Sequence, residues 1–184
     1  MNNPPTQFLK YEQKGDYHWR QYDQGTKYKT HADRVALWVR EKHVLDIGAG
    51  DGKITSLIGA QGIDNEPEGV RLARAHGCNV ILGNGYALPY PDGAFESVLM
   101  ADVLEHFEFP EKALAEARRV LTQYIYITTP PKRPDGKLTD RYHYTEWEPE
   151  ELKALVESCG FVLEGEILSI PAEKVQYAKF KRRD

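Results

Sequence analysis

Short apolar runs alternate with amphipathic segments along most of this chain, and polar turns separate them. The first apolar run, residues 44–47 (VLDI), predicts a buried strand, and the glycine-rich 48–52 (GAGDG) its turn. A short helix is expected over 53–58 and a second strand over 60–64, ending on an acid. Pro67 opens the next helix in the manner of a first-turn proline, and Gly77 closes it. Residues 79–82 predict a third strand and 95–100 a fourth that is apolar on both faces. Ala113, Leu114, Ala117, Val120 and Leu121 lie on one stripe, which predicts a helix over 111–121. Strand five is expected at 124–128, stopped by Pro130 and Pro131, and a helix at 148–158. The chain then finishes without a helix, in strands over 161–168 and 174–180 joined by a short turn at Pro171.

Strands alternating with helices imply an α/β fold, a Rossmann-like doubly wound sheet that is mostly parallel. Seven strands are expected, the last two an antiparallel pair. Residues 1–30 break this pattern with Pro4, Pro5, Gly15 and Gly25 among Tyr11, Tyr17, His18, Trp19, Tyr22 and Tyr28. So aromatic a segment is not a disordered tail. The expected organisation is an irregular arm over 1–30 that packs on, and covers the active site of, a domain over 31–184.

Composition narrows the function classes. The chain has 184 residues, 28% charged, with a formal net charge of −4. An acidic balance speaks against general nucleic-acid binding, which needs surplus Lys and Arg. No apolar stretch approaches the roughly 20 residues of a membrane span, and no leader pattern is visible at the start. Cys78 and Cys159 lie far apart and outside any CxxC pattern, which suits reduced thiols and a cytoplasmic location.

The glycine turn carries the first chemical clue. The dinucleotide fingerprint G-x-G-x-x-G, counted from Gly48, requires glycine where the chain has Lys53. The phosphate loop G-x-x-x-x-G-K-[ST] requires glycine at Ile47 and a hydroxyl at Ile54. Both phosphate-cradling patterns fail on named residues. Asp64, at the end of the second strand, is placed to take both hydroxyls of a ribose, although an acid there also suits the start of the following helix. Asn84, two residues past the third strand, offers an amide to a base edge.

Taken together, VLDIGAGDG, GIDNEP, GNGYALPYPDGAFESV and VLEHFEFPEKALAEARRVL resemble, in order and spacing, the class I S-adenosylmethionine-dependent methyltransferases, nearest to their small type 11 subset. The likeness spans about residues 42–165. It implies S-adenosylmethionine as cofactor, with Gly48, Ala49, Gly50 and Gly52 against its methionine part and Asp46 near its ammonium. It further implies Asp64 with Asn65 at the ribose, Asn84, Gly85 and Tyr86 at the adenine, and Ala101 and Asp102 at the methionine end. Asn84 stands where the family more often has Asp. The first helix and second strand are about one helical turn shorter than usual.

The acceptor is expected to be a small molecule, methylated mainly through alignment and exclusion of water. His106 and His143 are the candidate catalytic residues, and Tyr28, His31, Glu105 and Tyr144 the candidate acceptor-binding ones. No metal is expected. If one were used, Asp102, Glu105, His106 and His143 would hold it, since metal-assisted O-methyltransferases of the ubiquinone pathway and of small-RNA 3′ ends carry E-x-x-E-H at the matching place. That alternative would act on an RNA end or a catechol-like acceptor. A further alternative is a donor-binding module without catalysis. Neither a nucleic-acid partner nor a membrane is expected, and the oligomeric state stays open.

Overall fold

The structure, a computed structural model, describes residues 9–184. The first eight residues of the expected arm lie outside the described residues. Three helices come first: α1 Lys10–Lys14, α2 Tyr17–Asp23 and α3 Lys27–Trp38. There follow β1 Val44–Ile47, α4 Lys53–Ile58, β2 Gln61–Asp64, α5 Pro67–Ala75, β3 Val80–Leu82 and β4 Phe95–Ala101. A single 3-10 turn, Leu104–His106, leads to α6 Pro110–Val120, β5 Leu121–Thr129 and α7 Pro149–Ser158. The chain ends in β6 Phe161–Leu163, β7 Leu168–Ile170 and β8 Val175–Arg182.

All strands form one sheet in the order β3-β2-β1-β4-β5-β8-β6, with β7 also paired to β8. The first five strands run parallel, and β8 enters antiparallel to β5. The strand order reverses between β1 and β4. Chain connections leave these two strands in opposite directions, so a crevice opens at their carboxyl ends.

Both faces of the sheet are covered. On one, Leu45, Ile47, Val98, Met100, Ile125 and Ile127 pack with Leu114 and Ala117 of α6 and Leu152 and Val156 of α7. On the other, Val44, Leu99, Tyr126 and Tyr177 pack with Val35 and Val39 at α3, and with Ile54 and Ile58 of α4. Helix starts follow local chemistry. Prolines occupy the first turn of α5, α6 and α7, where the missing N–H costs nothing. The Thr26 side chain accepts the Tyr28 N–H at the start of α3.

Three expectations need correction. Among the described residues the sheet has eight strands, not seven. The single strand expected over 161–168 is two, because Glu164-Gly165-Glu166 interrupts it with Gly165 at φ +84°. The two pieces pair with different ends of β8, Phe161 opposite Arg182 and Leu168 opposite Tyr177. An alternating pattern is blind to a bend that leaves polarity unchanged. Helix α6 stops at Val120, and Leu121 already belongs to β5, paired with Phe95. The arm is not irregular in its described part but helical, and the boundary expected after residue 30 falls inside α3. Helices α1 and α2 are too short to stand by propensity and hold through aromatic packing.

Candidate active site

The turn after β1 sets the geometry. Gly48 adopts φ +78° and Gly50 φ +55°. This is a left-handed backbone that side chains resist. Space forbids a side chain as well. A Cβ on Gly48 would lie 2.2 Å from Val103 Cγ2, and one on Gly50 1.9 Å from the Tyr11 hydroxyl oxygen. The bare turn lets Val103, just past β4, close against β1.

A cleft of about 520 Å³ opens there. A second cavity of about 240 Å³ adjoins it, and Gly48, Asp64, Asn65 and Val103 border both. Of the expected cofactor residues, Asp46, Gly48, Ala49, Asp64, Asn65, Ala101 and Asp102 line the main cleft. Asn84, Gly85 and Tyr86 line the second cavity, beside Phe107. Gly50 lies under Tyr11 and lines neither. Gly52 also lines neither; it faces α5 and the turn after it, where an added Cβ would lie 2.9 Å from Ala73 Cβ and 2.8 Å from Cys78 Sγ. Its part is packing, and the regular glycine spacing could not separate it from its neighbours.

Among the expected acceptor residues, Tyr28, Glu105 and Tyr144 line the main cleft. His31 does not. It is buried behind Asp102, hydrogen-bonded to the Tyr177 hydroxyl at 2.8 Å. His106 and His143 both reach the cleft, their rings 4.7 Å apart and nearly perpendicular. His106 Nδ1 donates to the Tyr142 carbonyl at 3.1 Å, and His143 Nδ1 donates to Glu146 Oε1 at 2.6 Å. One ligand atom each from Glu105, His106 and His143 fall within 4.8 Å of one another. Asp102 is not in that group. Its carboxylate accepts the Thr128 hydroxyl at 2.9 Å and turns toward His31.

Asp51 was not expected at the site, and Tyr11, Tyr17 and His18 were expected there only as part of a covering arm. Asp51 is fully buried in the glycine turn. Its carboxylate accepts the His18 backbone N–H at 3.0 Å and meets His18 Nδ1 at 3.1 Å, while its carbonyl accepts Trp19 Nε1–H at 2.7 Å. Lys53 sits 4.2 Å from the Trp19 ring centre and 3.7 Å from that of Tyr22. These contacts clasp α2 onto the turn and bring Tyr11, Tyr17, His18 and Tyr28 over the cleft. An acid between the glycines and an aromatic cluster in the arm were both visible in sequence, but nothing linked them.

The charges share one property. Asp46 is 2% exposed. Burial pushes its carboxyl up to about 7, against the opposing Thr55 hydroxyl bond at 2.6 Å. Burial also raises Asp64, although its carboxylate accepts N–H bonds from Glu66 at 2.8 Å and Gly50 at 2.7 Å. Glu105 is raised well above the usual range by burial and then by the charge of Asp102. His106 is lowered to about 4, by burial and then by His143. The Glu105 Oε2 atom is buried without a hydrogen-bond partner. Buried acids held toward neutrality, around open space, leave room for a positive ligand.

Residues 45–125 match the family described as "Methyltransferase domain". This segment is similar to the class I S-adenosylmethionine-dependent methyltransferases. An uncharacterised protein of Methanocaldococcus jannaschii is 33% identical over 95 residues, covering 51% of this chain and 46% of that protein. The chain thus spans about half the length of that relative. The demethylmenaquinone methyltransferase of Thermus thermophilus is 28% identical, covering 78% of this chain and 84% of the enzyme. A Thermotoga maritima structure described as a SAM-dependent methyltransferase, possibly acting on histamine nitrogen, superposes with a TM-score of 0.78 at 20% identity. That match covers 94% of this chain and 98% of the other, and at this identity it speaks for the fold. As in this class, the glycine turn lies at the switch point of a doubly wound sheet. Among the described residues, no helix is long and apolar enough to cross a membrane.

Proposed function

We propose that this methyltransferase binds S-adenosylmethionine across the two joined cavities and methylates a small-molecule acceptor in the outer part of the main cleft. The observation that carries the reading is the position of Asp64 where the two cavities meet. Its carboxylate accepts backbone N–H bonds from Gly50, Glu66 and Asn65, which leaves lone-pair capacity for a ribose hydroxyl. On one side lie Tyr86, Phe107 and Asn84, surroundings for an adenine ring. Asn84 Oδ1 already accepts the Tyr86 N–H at 2.9 Å, so its NH2 donates to the base edge. On the other side Asp46 and Asp102 suit an ammonium and a sulfonium. Bound there, the cofactor supplies an electrophilic methyl group. The protein then aligns the acceptor and keeps water out, a task suited to the roof of Tyr11, Tyr17, His18 and Tyr28. His106, largely neutral near pH 7, and His143 border the acceptor.

A second reading rests on Glu105, His106 and His143. In both imidazoles Nδ1 is held by an oxygen acceptor, the arrangement that orients metal-binding histidines. Glu105 Oε2 adds a buried oxygen without a partner. A divalent cation held by these three would polarise an acceptor oxygen.

Calorimetry with S-adenosylhomocysteine, followed by transfer assays on panels of phenols, amines and quinols, tests the first reading. Product binding together with methyl transfer supports it. Binding without transfer to any acceptor leaves a donor-binding module. Elemental analysis and activity after chelation test the second reading, which fails if no divalent ion copurifies or binds and chelation changes nothing.

A further inference from the structure

Asp102 is one of two described non-glycine residues with positive φ, at +50°. A conformation of this kind costs about 1–3 kcal/mol and persists only where its surroundings impose it. Thr128 imposes it here. The Asp102 N–H donates to the Thr128 carbonyl at 2.9 Å, and the Thr128 hydroxyl donates back to Asp102 Oδ1 at 2.9 Å. The other oxygen, Oδ2, faces His31 Nε2 at 3.3 Å. That nitrogen is buried and makes no hydrogen bond.

Behind His31 runs a chain of bonds whose direction is determined. Arg34 Nη2 donates to Glu173 Oε1 at 2.7 Å, and this guanidinium holds the Glu173 carboxyl below its usual range. The Tyr177 hydroxyl donates its one proton to Glu173 Oε2 at 2.6 Å. A phenol has a single proton to give, so the same oxygen can only accept from a second partner. That partner is His31 Nδ1, at 2.8 Å. The imidazole therefore carries a proton on Nδ1, and Nε2 lies 3.3 Å from Asp102 Oδ2. The imidazole and the Asp102 carboxylate thus lie side by side at the edge of the cleft.

We propose that Asp102 takes the acceptor's proton during methyl transfer, and that His31, Tyr177, Glu173 and Arg34 are positioning residues that keep it ready to do so. This rests on the transferase reading above. The acceptor's N–H or O–H bond breaks and its proton moves to Asp102 Oδ2, within reach of His31 Nε2. The acceptor's electron pair forms the bond to the methyl carbon, and the carbon–sulfur bond breaks with its pair left on sulfur. One sulfonium charge and one carboxylate charge disappear together. Asp102 thereby serves the acceptor through its side chain, beyond the cofactor contact implied by its place after β4.

The chain is tested in two ways. Nitrogen-15 NMR of histidine-labelled protein should show His31 as the Nδ1–H tautomer, with Tyr177→Phe raising the Nε2–H form. An Nε2–H tautomer in the unmodified protein overturns the relay, whatever the activity. In transfer assays Tyr177→Phe and His31→Ala should lower kcat by about tenfold or more, and Asp102→Asn by about a hundredfold, as loss of a proton acceptor does. Acceptor KM and the affinity for S-adenosylhomocysteine should stay within about twofold for Tyr177→Phe, because it touches neither ligand. A Tyr177→Phe protein with unchanged tautomer and unchanged kcat overturns the proposal. Donor binding without transfer in the unmodified protein removes the transferase reading instead, and the tautomer still decides the relay.

Discussion

Replacing Asp46 by Asn should stabilise the empty protein and weaken its hold on the donor. Asp46 is enclosed in β1, and its carboxyl is raised to about 7 by burial, with a further upward push from Asp64. In the unfolded chain the proton leaves near about 3.9. Between these values the folded state binds more protons than the unfolded one, so stability falls as pH rises from about 4 to about 7 and levels off above. That gap of about three pH units, at about 1.4 kcal/mol each, gives a ceiling of about 4 kcal/mol for the cost of ionising Asp46 in the empty site. Asn has the same shape, no charge to bury, and an oxygen for the Thr55 hydroxyl. Part of the gain goes to desolvating the amide, which leaves about 1–3 kcal/mol. For a chain of this size that raises Tm by about 2–4 °C per kcal/mol. Urea unfolding at a series of pH values from mildly acidic to mildly alkaline is the assay. The Asp46→Asn protein should equal or trail the unmodified one at the acidic end and exceed it at the alkaline end. Binding of S-adenosylmethionine should weaken by about tenfold, through the lost partner of its ammonium. Stability curves that run parallel across this range would refute the reasoning, because burial could not then be acting on the ionised form.

Asp64→Ala should weaken binding of S-adenosylhomocysteine by about tenfold or more, read by calorimetry, since it removes a charged acceptor from the ribose. Unchanged affinity sinks the ribose assignment. Gly48→Ala combines a φ of +78° with a Cβ 2.2 Å from Val103. It should destabilise the fold by about 2 kcal/mol or more, measured by urea denaturation. Trp19→Ala removes the bond to the Asp51 carbonyl and one face of the Lys53 pocket. Trypsin should then cut the arm near Lys27 about tenfold faster, as one lost local contact of about 1.4 kcal/mol allows. An unchanged digestion rate would show that the clasp contributes nothing to closing the arm.

What the sequence alone determined was local. The strand at 44–47, the turn after it, the helix at Lys53–Ile58 and the start of the next one at Pro67 were legible to the residue, because apolar period and first-turn proline act within a few positions. The lining of the crevice at the strand ends was legible for the same reason. In a doubly wound sheet it is built from strand ends and turns, so Asp46, Gly48, Asp64 and Asn84 follow from their distance to a strand. The tertiary structure decided the rest. Only β8, folding back between β5 and β6, sets Tyr177 against His31 from the far end of the chain. Only the packing of two short helices brings His18 to Asp51, and only the loop after β5 brings His143 to His106. Gly52 shows the converse, a residue that fits the motif yet packs on α5. Periodicity records which face of an element is buried. It carries no record of which distant side chain shares that burial, and the side of this cleft that holds His106 and His143 is made of such distant meetings.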